Sequence, residues 1–212
     1  MNKFRALIFD MDGVVVHSNP YHRDAWTAYN RRHGIETTEA MVQFMYGKRN
    51  EIIVREFFGE RLTEQEVFAH GAAKEALYRE TILPHVAEAL VPGIREFLEA
   101  HQHLPVGLAT NAESANAVFT LERSGLGHLF RAVVNGQQVR HAKPHPEIYL
   151  KVSEMLQAPP ADCLVFEDSH SGVEAGRAAG MTVIGIRTTH AELPGTLFTV
   201  DNFHDPRLDS LV

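Results

Sequence analysis

In the stretch FDMDGVVV, residues 9–16, an apolar run from Ala6 to Phe9 delivers two aspartates, Asp10 and Asp12, with a glycine directly after them. Carboxylates at the end of what reads as a buried strand are costly unless something pairs with them. In an open parallel sheet, ligands bind beyond the C-terminal ends of the strands. The residues just past the other strand-like runs form a coherent polar set: Thr110 and Asn111 after VGLA, Lys143 in HAKPHPEIY after AVVN, and Glu167 and Asp168 after CLVF. Three or four carboxylates in one crevice repel one another and need a cation, and hard oxygen ligands favour Mg²⁺. Lys143 adds a fixed positive charge, and Thr110 adds a hydroxyl donor for a phosphoryl oxygen. One aspartate is then free to attack as a nucleophile through an aspartyl-phosphate. The other is available as general acid and base, protonating a leaving oxygen and deprotonating a water.

The elements that must position this set follow from periodicity. ALIF (6–9), VGLA (106–109), AVVN (132–135), CLVF (163–166) and TVIGI (182–186) are short apolar runs that read as buried parallel strands. Segments of helical length lie between them, at 113–124, 146–157 and 171–179, so the expected fold class is α/β, a doubly wound parallel sheet. Gly125 and Gly180 stand where helix C-caps are expected. Residues 18–86 lack a convincing strand. The segment NPYHRDAWTAYNRRHG is helical after Pro20, NEIIVREFFG carries apolar residues at helical spacing, and TEQE at 63–66 is a capping box opening a third helix. The expected organisation is an α/β core from residues 1–17 and 87–212 with an α-helical domain, 18–86, inserted after the first strand. His101 and His103 are expected on an exposed turn as a solvated pair.

Composition bounds the partners. A chain of 212 residues with 44% apolar and 22% charged residues is ordinary globular usage. The sequence shows no apolar run of transmembrane length and no signal peptide, because Asp10 interrupts LIF, so no membrane partner and a cytoplasmic location are expected. The single cysteine, Cys163, has no intramolecular partner and is expected to be an inert buried thiol. A net charge of -7 argues against a nucleic-acid surface. An anionic ligand would need a local positive field from a metal, a lysine or a helix N-terminus. A monomer is expected.

In their order and spacing, DMDGV, LATN, AKPHPEIY and FEDSHSGVEAGRAAGM resemble the haloacid dehalogenase superfamily of phosphotransferases, in the branch with a helical cap between the first two core strands. The resemblance covers the whole chain and implies a Rossmann-like core with an inserted cap. It further implies that Asp10 is the nucleophile and Asp12 the acid/base. Thr110 and Lys143 would contact phosphate, and Glu167 and Asp168 would hold Mg²⁺ with Asp10 and the backbone carbonyl of Asp12. The segment YHRDAW (21–26) is similar to the cap opening of the β-phosphoglucomutase branch, which implies that His22 assists proton transfer or cap closure; a helix residue packed at the hinge is the competing reading. Gly47 and Asn111 are further candidates for substrate contact.

One departure from that branch is specific. The mutase holds a second phosphate with an arginine three residues after a cap glycine and a lysine three residues after the second motif's hydroxyl residue. Counted from Gly47 and Thr110, those positions are Asn50 and Glu113, and Tyr46 replaces a lysine just before the glycine. Lys48 and Arg49 lie beside the expected site, which makes Arg49 the candidate specificity residue against the alternative of a solvated surface arginine. The expected function is a Mg²⁺-dependent phosphatase acting on a small phosphorylated metabolite, a sugar phosphate. A hexose-phosphate mutase is the alternative, and a non-enzymatic binding module on the same fold is the second alternative.

Overall fold

The protein is described by a computed structural model covering residues 4–211. The apolar runs form β1 (Ala6–Phe9), β2 (Val106–Ala109), β3 (Ala132–Val134), β4 (Cys163–Glu167) and β5 (Thr182–Ile186). A two-residue strand, β6 (Thr199–Val200), completes one edge. All neighbours are parallel, in the order β3-β2-β1-β4-β5-β6. The chain leaves β1 for β2 and β3 on one side, then returns to place β4 on the other. The switch point is therefore between β1 and β4, the place where such sheets bind ligands.

The sheet is covered on both faces, as the uniformly apolar strands require. Along β1, Leu7 and Phe9 belong to one buried cluster and Ala6 and Ile8 to the other, the two-residue alternation of a strand. The first cluster holds Phe9 stacked on Phe166, with ring centroids 4.6 Å apart, and also contains residues of α5 (Ile94–Ala100) and α6 (Ser114–Ser124). The second is built with α7 (Glu147–Leu156) and α8 (His170–Ala178). Cys163 is buried, and burial pushes its thiol up to about 11.

Between β1 and β2 the chain forms α1 (Asn19–Arg32), α2 (Glu39–Met45), α3 (Asn50–Phe58) and α4 (Glu64–Ile82). These carry their own apolar cluster of Trp26, Tyr29, Val42, Met45, Ile53, Val54 and Val67. Thr63 and Glu66 close the expected capping box, with Thr63 N donating to Glu66 Oε2 at 2.8 Å. The short α2 lies beyond the three expected helices; Thr38 caps it by accepting from Met41 N. Asn135 is not the last residue of a strand: its side chain accepts from Gln137 N and opens a single turn of 3₁₀ helix. His101 is not solvated, since it ends α5 buried, with Nδ1 2.7 Å from Phe97 O. Among the described residues, no helix is long and apolar enough to cross a membrane.

Candidate active site

The strand ends converge as their register demands. Beyond β1, Asp10 N donates to Phe166 O at 3.0 Å, and beyond β2, Thr110 N donates to Val134 O at 3.0 Å. The ladders thus extend one residue past each strand and hold both backbones rigidly. Lys143, buried on the loop before α7, donates from Nζ to Asp10 Oδ1 at 2.6 Å, to Glu167 Oε1 at 2.6 Å and to Ala109 O at 2.9 Å. Three acceptors on three adjacent strands satisfy the ammonium's three protons.

Glu167 organises the surroundings. Its Oε1 also accepts from Tyr149 OH at 2.7 Å, while Oε2 accepts from Asp168 N, Ser169 N and Ser169 Oγ at 3.0 to 3.1 Å. Gly172 in the first turn of α8 makes room for it: a Cβ there would lie 1.8 Å from Glu167 Oε1. Gly13 has the same office for Asp168. Its φ is +81°, and an added Cβ would meet Asp168 Oδ2 at 1.8 Å, which explains the glycine after the two aspartates.

Asp10, Glu167 and Asp168 are all buried and can each offer an oxygen within 4.8 Å of the others. Three carboxylates against the one ammonium leave an excess negative charge among buried side chains. Burial, opposed by Lys143 and reinforced by Glu167 and Asp12, pushes Asp10 up to about 7. Asp168 is raised well above its usual range by burial and by the charges of Glu167 and Asp10. Burial disfavours the Lys143 ammonium, but Asp10 and Glu167 overcome this and raise it. A divalent cation fits this oxygen-only set. Hydrogen bonds to Asp10 fall on Oδ1 and those to Asp168 on Oδ2, from Asn19, Thr188 and Thr189, leaving the other oxygen of each for a cation. The side chain of Asp12 lies outside this group; its Oδ1 accepts from Ser18 Oγ at 2.6 Å and has His22 Nε2 at 3.6 Å.

A cavity of about 560 Å³ opens from these carboxylates toward α1, α3 and α4 and is lined by every candidate named from the sequence except Glu167. His22 projects from α1, its ring stacked on Tyr78 at 3.7 Å with the planes 6° apart. Its Nδ1 lies 2.9 Å from Lys74 Nζ. An ammonium has only donors, so Nδ1 must accept and the ring proton sits on Nε2, toward Asp12. Gly47 lines the cavity, but its carbonyl accepts from Asn111 Nδ2 at 3.1 Å, and Asn111 Oδ1 accepts from Lys143 N at 3.2 Å. Asn111 thus fastens the loop after α2 to the core. Arg49 also lines the cavity, yet its Nη2 donates to Gly136 O at 2.5 Å and Val139 O at 3.3 Å, so its guanidinium grips the core instead of reaching inward. Thr110 Oγ1 accepts from Ala112 N at 3.0 Å, which leaves its proton to donate.

Sequence reasoning missed Lys74 and Glu75. Both are buried on α4, with Lys74 Nζ 2.8 Å from Glu75 Oε1, and Glu75 also accepts from Asn50 and Asn116 at 2.8 and 2.7 Å. A signal was available: the buried positions of α4 run 67, 71, 74, 75, 78 and 82, the spacing of one helix face, so the adjacent charged pair sits on the inward stripe. Tyr149 stood inside a motif but was given no role.

Residues 4–180 match the haloacid dehalogenase-like hydrolase family. The chain is 31% identical to the fructose-1-phosphate phosphatase YqaB of Escherichia coli strain K12, over 87% of this chain and 97% of that protein. It is 30% identical to the β-phosphoglucomutase of Bacillus subtilis strain 168, over 86% of this chain and 83% of the other. A β-phosphoglucomutase crystal structure from Clostridium difficile shares the fold with a TM-score of 0.87 at 24% identity, covering 98% of this chain and 96% of that one. With its carboxylates and lysine gathered at the switch point of a matching sheet, this chain belongs to the haloacid dehalogenase-like hydrolase family of enzymes.

Proposed function

We propose that this protein is a Mg²⁺-dependent phosphatase that hydrolyses a small sugar monophosphate through a phosphoryl group carried on Asp10. Asp10 and Asp168, with the charge of Glu167, are the residues that would hold the metal. A bound divalent cation would neutralise the phosphoryl charge and favour the ionised form of Asp10. Asp10 is oriented by Lys143 at the floor of the cavity, where its carboxylate oxygen forms a bond to phosphorus as the ester P–O bond breaks. Asp12 gives its proton to the departing sugar oxygen, then takes one from the water that displaces Asp10 and releases phosphate. His22, with its proton directed at Asp12, keeps that carboxylate aimed into the cavity. Helices α1–α4, the 18–86 segment, serve as a cap that excludes bulk water.

Hydrolysis is favoured over isomerisation by one observation: among the described residues, Lys74 and Arg49, which line the cavity away from Asp10, already donate to protein acceptors. Lys74 pairs with Glu75, Arg49 holds core carbonyls, and Lys48 lies over the Phe44 ring at 4.4 Å from its centroid. Asn50 donates to Glu75, and Glu113 carries a negative charge into the same space. A mutase must grip a bisphosphate by its distal phosphate while the molecule reorients, and the prior engagement of Lys74 and Arg49 speaks against such a grip. The test follows both products in one tube, with Mg²⁺, β-glucose 1-phosphate and a trace of glucose 1,6-bisphosphate. Free phosphate is expected to accumulate with little glucose 6-phosphate; isomerisation outrunning phosphate release would decide for the mutase.

A further inference from the structure

The α4 side of the cavity is built around two adjacent charges, Lys74 and Glu75, with the His22 ring between Lys74 and Asp12. Lys74 is 2% exposed and Glu75 4%, and both face the cavity. The Lys74 ammonium sits 2.8 Å from Glu75 Oε1, 2.9 Å from His22 Nδ1 and 4.9 Å from the centre of the Trp26 ring. Glu75 is fixed from three helices: Asn50 of α3 donates to Oε1, Asn116 of α6 donates to Oε2, and Lys74 is its neighbour on α4. Asn116 is itself held by Arg79, whose Nη1 donates to Oδ1 at 2.7 Å. Glu113 lines the same cavity, 3.9 Å from Arg79.

An unpaired ammonium as buried as that of Lys74 would be a strong phosphate site. Glu75 cancels it, and a phosphate brought there would also meet the Glu75 and Glu113 carboxylates. Like charges brought together in a recess reject the wrong ligand more forcefully than a lost contact does. Glu75 Oε2, which accepts from Asn116 Nδ2, retains acceptor capacity for a hydroxyl. We infer that Glu75 restricts the α4 side of the cavity to an uncharged, hydroxyl-bearing group by occupying the Lys74 ammonium that would otherwise take a second phosphate. The inference rests on the phosphatase reading above and specifies its substrate as a polyol or sugar with one phosphate.

The test compares kcat/KM for fructose 1-phosphate and fructose 1,6-bisphosphate, with Mg²⁺, in the wild type, Glu75→Gln and Glu113→Gln. Glu75→Gln should move the ratio toward the bisphosphate by about tenfold or more, because Lys74 then makes a charge-assisted bond to the second phosphate. Glu113→Gln, at a half-exposed position, should move it the same way by about threefold, and raising the salt should shrink both shifts. Should Glu75→Gln not fold, the Glu113→Gln ratio decides. Ratios unmoved in the folded variants would overturn the inference and leave the phosphatase reading standing. A wild type that releases phosphate neither from fructose 1-phosphate nor from p-nitrophenyl phosphate would instead overturn that reading, and this inference with it.

Discussion

Asp10 and Asp12 are separated by one residue and differ in everything around them. Asp10 is buried, fixed by Lys143 at 2.6 Å, and pushed up to about 7 chiefly by burial. Asp12 is less enclosed and meets Ser18 and His22. Two carboxylates in unlike environments suit two roles, one bonding to phosphorus and one moving protons. Asp10→Asn is expected to abolish the covalent phosphoenzyme. Asp12→Asn should still form one while slowing turnover by about 10²- to 10⁴-fold, the usual cost of losing general acid/base help. Acid quench with a radiolabelled substrate separates the two, and label retained on the Asp10→Asn protein would refute the assignment.

Helix α4 shows how an element carries charge into the interior. Burial alone would raise the Glu75 carboxyl, but the Lys74 charge and hydrogen bonds from Lys74 and Asn116 prevail and hold it at about 2. A carboxyl depressed on folding stabilises the protein above its ordinary value of 4.5, and that contribution is lost as pH falls toward about 2. The difference is worth about 3 kcal/mol at most. Urea unfolding of the wild type should therefore weaken more steeply over this range than that of Glu75→Gln; parallel profiles would show that the pair does not tie α3, α4 and α6 together. The adjacent Lys74 and Glu75 fall on the inward face only when the stripe Val67, Gly71, Tyr78 and Ile82 is drawn through them. The five long strands were legible because both sheet faces are covered, so each became an uninterrupted apolar run. β6 was not legible, since Thr199 and Val200 owe their strand state to pairing with Gly185 and Ile186 and not to a local pattern. Likewise α2 and α5 span seven residues each, too few turns for a clear period. Arg49 and Asn111 line the cavity, but only the fold shows that they face Gly136, Val139 and Gly47.

At the scale of the whole molecule, the parallel sheet gathers negative charge at its switch point, and that charge works against folding. Asp10 and Asp168 are both raised mainly by burial. A carboxyl raised on folding favours the native state while protonated. Its penalty grows as pH climbs past the ordinary value of 3.8 and, for Asp10, is complete above about 7. Metal-free protein should therefore lose stability between about pH 4 and pH 7 as Asp10 ionises. A cation that binds only the folded state adds about 2.7 kcal/mol at a hundred times its Kd. For a chain of this size that is about 5–10 °C in Tm. Because protons and Mg²⁺ compete for the same oxygens, the gain should be larger at about pH 7.5 than at about pH 5. Calorimetry of chelator-stripped protein, with and without Mg²⁺ at the two pH values, measures this directly, and Asp168→Asn should flatten both the pH slope and the metal gain. A Mg²⁺ shift of equal size at both pH values, or one that survives in Asp168→Asn, would place the metal away from the carboxylates that β1 and β4 bring together.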